Sequence, residues 1–439
     1  MSSTGAYAPG PAPSGALSAP ATTNLFAAVV ILVLFVLSAA VSAGRKDVTQ
    51  GFDEVAHASY VAHIQASGQP WPALEQMRLL DPNTFRFTGT ANYLNHPPLF
   101  YGLLAMLGPK LEGHPEALLV FRLIDIAAVA IGLAALLGLG LAARLSRPEF
   151  YAYAVPLACI PVLVPLAGSV NNDDLAFMGG ALALLGAWQL LATGRTAWLV
   201  LAFAGVIVAA FAKLTGLLLS ATMVAGVIAY LIWRKRLSWL WAGAAMIAFA
   251  VAAAPYLIYA AHYGSPTPET PAQIALITDG AHAAGWSSQP RKTFPGYLFY
   301  FVGAFVADWM PALGPRSSLN YAMLIIPVAA IGCGFAGTAY ALRRLLRGKE
   351  TVLDIIVVTG AIAIAVTFAI HVDFSYGRHL ATGWLMDAYP RYYLPLIAIM
   401  PLAGLSLYRA IKEPRWRNGL LAFLIAGPVV FRIFGAPLG

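Results

Sequence analysis

Long apolar segments recur along the whole chain, and they constrain its fold more than any other feature. Each is long enough to cross the hydrocarbon core of a bilayer, which takes about 17–25 residues of helix. Backbone polar groups in that core must bond inside the protein, so only helices and closed barrels can cross it. A barrel needs alternating strands of about ten residues, and these segments are too long and too uniformly apolar for that. We therefore predict an all-α, polytopic transmembrane protein with about 11 membrane helices, within a range of about 10–13. The predicted segments are 24–43, 117–143, 150–168, 172–193, 197–212, 214–232, 237–261, 320–342, 352–371, 392–411 and 418–435.

Two shorter apolar pieces, 97–107 and 295–310, are bounded or interrupted by Pro, Gly or Asp. We predict that they form helices that lie along the membrane surface or dip in and return. With these pieces outside and the N-terminus inside, the inner loops hold 14 basic residues against four acidic ones, as the positive-inside rule requires. The net charge of +8 therefore mostly reflects the orientation of the protein in the membrane. It does not indicate nucleic-acid binding, which requires a basic stripe on a soluble surface.

This topology places the loops that carry reactive side chains on the non-cytoplasmic face, together with all eight histidines. The outer loops are residues 45–116, 262–319 and 371–391. Residues 1–23 are uncharged and rich in Pro, Ala, Ser, Gly and Thr, so we expect a disordered cytoplasmic tail before a single transmembrane domain at 24–439. Cys159 and Cys333 lie in apolar segments, so the cysteines indicate no disulfide framework.

The first outer loop begins with two adjacent acidic residues and a histidine. Asp53, Glu54 and His57 open a short predicted surface helix that Gly68 and Pro70 end. Residues three or four apart on a helix lie on one face, so either carboxylate can be near His57. One interpretation is that the acidic residues only stabilise the helix N-terminus through its dipole. The other is that a carboxylate at the bilayer surface acts as a general base or a metal ligand.

A histidine followed by two prolines lies further along the same loop. Pro97 and Pro98 are tolerated only in the first turn of a helix, so His96 is held where the chain leaves the loop. The helix that follows is apolar and aromatic and contains Tyr101. Alone, this pattern fits an ordinary helix start. Together with the acidic residues upstream, it indicates a site.

A second acidic cluster, from Asn171 to Asp174, lies between two apolar segments with almost no loop. One Asp at such a position is explained by capping of the next helix. The pair Asp173 and Asp174, preceded by Asn172, also fits an outer site for a hydroxyl-rich substrate or a divalent cation, because both bind oxygen ligands.

Basic and aromatic residues mark the outer ends of later helices. They are Lys213, Arg378, His379, Arg391 and Tyr392. The fork of an Arg side chain matches phosphate oxygens, and Lys supplies a point charge. A lipid phosphate would arrive at this depth with its tail among the helices. The alternative is that the Arg residues pair with nearby Asp residues or reach toward lipid headgroups.

Taken together, these motifs resemble the GT-C superfamily of membrane glycosyltransferases. That superfamily includes the protein O-mannosyltransferases and the bacterial transferase that adds aminoarabinose to lipid A. The motifs keep the expected order along the chain and lie on one predicted side of the membrane. They are Asp53-Glu54-x-x-His57, His96-Pro97-Pro98-Leu99, Asn171-Asn172-Asp173-Asp174 and Arg391-Tyr392-Tyr393.

The resemblance implies an inverting transfer of a sugar from a polyprenyl-phosphate donor to a lipid, glycan or protein acceptor. It implies a bacterial inner-membrane protein whose site faces the periplasm, with Asp53 as the general base and Glu54 as the competing carboxylate. The expected sugar- or acceptor-binding residues are His57, His96, Tyr101, Asn172, Asp173 and Asp174. The expected lipid-phosphate-binding residues are Lys213, Arg378, His379, Arg391 and Tyr392.

Metal dependence differs within the superfamily and stays open here. If Mg²⁺ or Mn²⁺ binds, the expected ligands are Asp53, Glu54, His57 and Asp173. The chain departs from the aminoarabinose enzyme at His96, where that enzyme has Lys before its two prolines. We also expect no large soluble C-terminal domain, which would leave the choice of acceptor to its loops.

Two other classes compete with this interpretation. A lipid-linked glycan polymerase or ligase would differ in the size of the donor rather than in architecture. A transporter or flippase of lipid-linked sugars would place charge at mid-membrane and often show inverted repeats. The predicted spans are nearly free of charge, with Asp125 as the main exception, and no repeat is visible. A purely structural scaffold would not explain the clustered outer His, Asp and Arg residues.

Overall fold

A computed structural model describes residues 19–308 and 321–435 of the chain. In this part of the chain, helices dominate and the only strands form one short antiparallel pair, β1 (Arg78–Leu80) and β2 (Phe87–Ala91). The expectation of an all-α protein is thereby confirmed. The helices are α1 (Ala19–Arg45), α2 (Glu54–Ser67), α3 (Leu99–Leu107), α4 (Leu118–Ala142), α5 (Arg147–Ala158), α6 (Leu163–Ala167), α7 (Asn172–Thr193), α8 (Trp198–Ala212), α9 (Leu214–Trp233), α10 (Trp239–Tyr263), α11 (Pro271–Ala283), α12 (Phe294–Ala307), α13 (Ile325–Leu346), α14 (Val352–Thr382), α15 (Ile399–Ala410) and α16 (Pro414–Phe434).

The eleven apolar segments all coincide with helices, but the helices differ more in length, and are interrupted more often, than the sequence indicates. Among the described residues, eight helices are long and apolar enough to cross a membrane. A ninth span results if the 3₁₀ helix Pro390–Leu396 and α15 count as one, although a bend of 64° separates them. The segment 150–168 divides into α5 and α6, and the segment 197–212 forms only the 15-residue α8. Proline explains the breaks near Pro161 and Pro395, because it removes a backbone donor and clashes with the preceding turn.

The shorter apolar pieces form the short helices α3, of nine residues, and α12, of 14 residues. Positions 309–310 of the second piece lie outside the described residues. Residues 19–23, which the sequence assigns to the disordered tail, belong to α1. The rest of that tail, residues 1–18, also lies outside the described part.

Small residues let α7 and α8 pack with their backbones almost in contact. A Cβ added at Gly179 would lie 2.4 Å from the backbone N of Ala209, and one at Gly205 would lie 2.3 Å from the backbone N of Ala183. Membrane helices use such small residues because close packing replaces the missing hydrophobic drive between helices in lipid. The packing places the start of α7 beside the end of α8, where Lys213 follows.

Ion pairs join helix ends that the sequence places on the same side of the membrane. Arg409 contacts Glu149 at 2.8 Å, and both are predicted inside. Lys213 contacts Asp173 at 2.7 Å, and both are predicted outside. The alternation of helix direction therefore agrees with the predicted topology.

Candidate active site

A turn of three left-handed residues separates the two acidic side chains of the first loop. Gly51, Phe52 and Asp53 have φ angles of 82°, 61° and 58°. Non-glycine residues rarely adopt this region, and such backbone strain is concentrated at functional sites. The turn sends the neighbouring carboxylates in different directions. The Asp53 side chain is 45% exposed, whereas that of Glu54 is 0% exposed.

Asp53 lies between a phenol and a guanidinium. Its Oδ1 accepts a hydrogen bond of 3.0 Å from the hydroxyl of Tyr93. Its Oδ2 lies 3.3 Å from Nη2 of Arg391, which is 338 residues away in the sequence. The structure therefore brings together the first and last motifs of the chain.

Arg391 bridges two carboxylates at the start of the Pro390–Leu396 helix. In addition to Asp53, its Nε lies 3.4 Å from Oδ2 of Asp173. Its guanidinium carbon lies 5.5 Å from the centre of the Phe52 ring and 5.2 Å from that of Tyr389. These rings cover the cation, whose side chain is only 12% exposed, and contribute cation–π attraction.

Lys213 completes this group of charges from the turn between α8 and α9. Its Nζ donates to Asp173 at 2.7 Å and lies 3.7 Å above the ring of Tyr392. Burial lowers the pKa of Lys213 to about 8, although Asp173 opposes the shift, and the charge of Arg391 lowers it further. Two carboxylates and two cations thus converge on one region, which we call the four-charge cluster (Asp53, Asp173, Lys213 and Arg391).

His57 lies beside the cluster as a fully bonded, buried ring. The side-chain amide of Asn171 donates to Nε2 at 3.3 Å, so Nδ1 carries the hydrogen and donates to the hydroxyl of Tyr101 at 2.9 Å. The amide orientation is fixed because its oxygen accepts from the backbone N of Asp173. Burial, and then the nearby His96, lower the pKa of His57 well below its usual value. The ring is therefore neutral and holds α2 against the start of α7.

His96 lies next to His57. Its ring stacks on that of His57, with centroids 6.1 Å apart and planes 8° apart. Its backbone oxygen accepts hydrogen bonds from Tyr60 and Tyr259. Burial lowers the pKa of His96 to about 3, and Lys213 is the next cause. His96 therefore contributes a neutral imidazole to the site.

Glu54 and Arg122 form a buried clamp behind the cluster. Both oxygens of Glu54 accept from Arg122, at 2.7 and 2.8 Å, and one also accepts from the backbone N of Val170 at 2.9 Å. Arg122 donates further to the backbone oxygens of Ala43 and Lys46. This clamp ties together the end of α1, the start of α2, the first turn of α4 and the turn before α7. The contacts favour Asp53 over Glu54 as the carboxylate open to a substrate.

Three other expected binding residues lie in the wall of the site. Asn172 donates from its side chain to the backbone oxygen of Ala212 at 2.8 Å. Tyr101 stacks on Tyr60 with ring centres 3.9 Å apart. Asp174 is fully buried, and neither of its oxygens has a hydrogen-bond partner among the described residues. Direct contact of these three side chains with a sugar or acceptor stays a prediction.

Arg378 and His379 belong to a separate group of contacts between the second and third outer loops. Arg378 pairs with Asp387 at 3.0 Å, which is the alternative that the sequence left open, and it also pairs with Glu269 at 2.7 Å. His379 accepts from the backbone N of Lys292 at 3.0 Å. These contacts fix the chain just before Arg391. Phosphate binding by Arg378 or His379 stays a prediction.

Two of the four conditional metal ligands are already bonded to protein groups. Glu54 is saturated by Arg122 and Val170, and both ring nitrogens of His57 have partners. No group of three or more His, Cys, Asp or Glu side chains in residues 19–308 and 321–435 is arranged to hold a metal ion. Metal binding by Asp53 or Asp173 stays a prediction.

Sequence reasoning missed several residues that build the site. Tyr93 bonds to Asp53, Phe52 covers Arg391, and Asn171 joins α2 to α7. Asn171 lies within a recognised motif, but the sequence assigned it no role of its own. Arg122 could have been found as a charge inside an apolar segment, because such charges are costly unless they are paired. Nothing in the local sequence marks Tyr93.

No family model matches the sequence, and no curated protein matches it. In fold, the chain is similar to the crystal structure of ArnT from Cupriavidus metallidurans bound to undecaprenyl phosphate, with 18% identity and a TM-score of 0.49 over 92% of this chain. It is also similar to the apo state of ArnT, with 16% identity and a TM-score of 0.46 over 91% of this chain. The match spans 62% of the ArnT chain in both cases.

Proposed function

We propose that the protein is a membrane glycosyltransferase that moves a sugar from a polyprenyl-phosphate donor to an acceptor on the non-cytoplasmic face. The observation that carries the proposal is the contact between Asp53 and Arg391. It places an exposed carboxylate next to a guanidinium that can hold a phosphate. A base and a phosphate-binding cation within reach of each other are what displacement at an anomeric carbon requires.

Asp53 acts as the general base in this proposal. It takes the proton of an acceptor hydroxyl while the hydroxyl oxygen attacks the anomeric carbon. The bond between that carbon and the phosphate oxygen breaks, and its electron pair leaves with polyprenyl phosphate. Because the attack is a direct displacement, the anomeric centre inverts. Tyr93 orients the carboxylate through its bond to Oδ1.

Arg391 and Lys213 stabilise the leaving phosphate. The phosphate gains charge as the bond breaks, so cations fixed in advance lower the barrier as well as aiding binding. Arg391 already pairs with Asp53 and Asp173. A phosphate that binds Arg391 therefore competes with Asp53 and releases its Oδ2 for the acceptor.

Donor affinity is expected to fall as pH rises through about 8. Below the pKa of Lys213, which is about 8, the ammonium binds phosphate, and above it the neutral amine does not. Lys213→Arg should remove this pH dependence, because the guanidinium stays charged. The measurement is KM for the donor across this pH range for both proteins. If KM for the donor rose equally in both proteins, Lys213 would be excluded as the cause of the lost affinity.

The decisive assay incubates purified protein with a panel of polyprenyl-phosphate sugars and candidate acceptors and measures released polyprenyl phosphate. Turnover that requires both an acceptor and a donor supports transfer. Extension of an acceptor glycan by further units would instead indicate a polymerase. Movement of lipid-linked sugar from one leaflet of a vesicle membrane to the other, without release of polyprenyl phosphate, would contradict the proposal and indicate a flippase.

A further inference from the structure

An apolar cavity of about 130 Å³ lies between α5, α13, α15 and α16, away from the four-charge cluster. Its walls contain no charged side chain. For comparison, an engineered cavity of about 150 Å³ lined by Leu, Ile and Phe stays dry and binds benzene. The cavity can therefore hold an apolar group of a few carbon atoms, and water gains nothing by entering it.

Prolines line the cavity on each of its sides. Each helix segment that faces the cavity contributes at least one, and together they are Pro156, Pro161, Pro327, Pro401 and Pro428. Pro156 and Pro428 lie inside α5 and α16, where a proline removes a backbone hydrogen bond and favours a kink. A bend of 64° precedes α15. We call this space the proline-lined cavity.

Residues that line the cavity follow closely in sequence after Arg391, a cation of the four-charge cluster. The Pro390–Leu396 helix begins with Arg391 at its second residue, and Ile397 and Met400, which line the cavity, follow directly. A 3₁₀ helix rises about 2 Å per residue, so Arg391 and Ile397 are roughly 12 Å apart along it. A ligand with its phosphate at Arg391 and a long apolar chain could occupy both places.

We propose that the proline-lined cavity binds a segment of the isoprenoid chain of the lipid whose phosphate lies at Arg391. This inference rests on the proposed function, because it takes the donor lipid as the occupant. The cavity then selects donors by chain length: a short chain places its phosphate correctly but does not reach the cavity. The methyl branches of an isoprenoid chain suit the irregular space between broken helices better than a straight acyl chain does.

Cysteines that line the cavity can report whether it is occupied. The chain's two cysteines, Cys159 and Cys333, both line the cavity and are half-buried. The experiment measures how fast N-phenylmaleimide modifies each thiol in the purified full-length protein. The probes are undecaprenyl phosphate, geranyl phosphate and phosphatidylglycerol, each added separately. We expect undecaprenyl phosphate to slow both reactions about tenfold when it is present at about ten times its Kd, and the other two to leave them unchanged.

A variant whose larger side chain fills the cavity provides a second test. Ala330 lines the cavity, and Ala330→Trp should raise KM at least several-fold for an undecaprenyl donor but not for a geranyl donor. Ile247→Trp is the matched control, because Ile247 is 69% exposed on the lipid-facing side of α10. It should change neither KM.

Three results would overturn the inference: equal thiol reactivity with and without undecaprenyl phosphate, equal protection by phosphatidylglycerol, or equal effects of Ala330→Trp on both donors. Equal protection by phosphatidylglycerol would show that an ordinary acyl chain fills the cavity. Transfer without thiol protection would refute only the cavity site. Protection by undecaprenyl phosphate without transfer would refute only the proposed enzyme activity.

Discussion

Asp53→Asn is expected to lower the rate of sugar transfer by about 10²–10⁴-fold, which is the usual contribution of a positioned general base. The amide keeps the shape of the carboxylate and can still accept from Tyr93, but it cannot take a proton from the acceptor. The substitution also removes the anion that competes with the donor phosphate for Arg391. Turnover should therefore fall while the donor binds at least as tightly. Rates of polyprenyl phosphate release under saturating donor measure this effect.

Asp81→Asn is the matched control for this prediction. Asp81 lies in the same outer loop and accepts hydrogen bonds from Asn83 and Thr84, but it contacts no residue of the four-charge cluster. Its replacement should leave transfer unchanged. Asp53→Asn with turnover like that of the wild type would remove Asp53 from the mechanism. Glu54→Gln would then be the next variant to measure.

Arg122→Met is expected to destabilise the protein by about 3–5 kcal/mol, as the loss of one partner from a buried ion pair does. The change leaves the buried carboxylate of Glu54 without its two strongest bonds and deprives the backbone oxygens of Ala43 and Lys46 of a donor. The Lys46 ammonium, 3.9 Å from Glu54, offsets only part of this loss. The measurement is the free energy of unfolding in detergent micelles or nanodiscs.

An exposed ion pair on the opposite side of the protein provides the control. Arg415 lies 3.8 Å from Glu413, and their side chains are 77% and 57% exposed. Solvent screens such pairs, which contribute little to stability, so Arg415→Met should have no measurable effect. If Arg122→Met proved as stable as Arg415→Met, the clamp would not hold the site together.

The sequence was sufficient to predict where helices and reactive loops lie. Apolar length located helices at all eleven segments, but among the described residues only eight of them, or nine with the bent pair, are long enough to cross a membrane. The order and shared side of the charged motifs predicted that Asp53, Asp173, Lys213 and Arg391 meet, and their contacts agree. The same reasoning also placed Arg378 and His379 in this group, and their contacts lie elsewhere.

The finer assignments depended on backbone geometry that periodicity does not encode. Asp53 and Glu54 are adjacent in sequence, and only the left-handed turn decides which of them is exposed. In the same way, Arg378 and Arg391 look equivalent in sequence. Arg378 pairs with the nearby Asp387, but its second partner, Glu269, and the Asp53 partner of Arg391 come from distant segments that no local pattern predicts.

The affinity for undecaprenyl phosphate of the wild type, Arg391→Gln and Asp53→Asn tests most directly whether the four-charge cluster binds a lipid phosphate. A charge-assisted hydrogen bond contributes about 1.5–3 kcal/mol. Arg391→Gln should therefore weaken binding by about 10–100-fold, whereas Asp53→Asn should bind as tightly as the wild type or more tightly. Unchanged affinity in Arg391→Gln, or a loss of equal size in Asp53→Asn, would contradict the account.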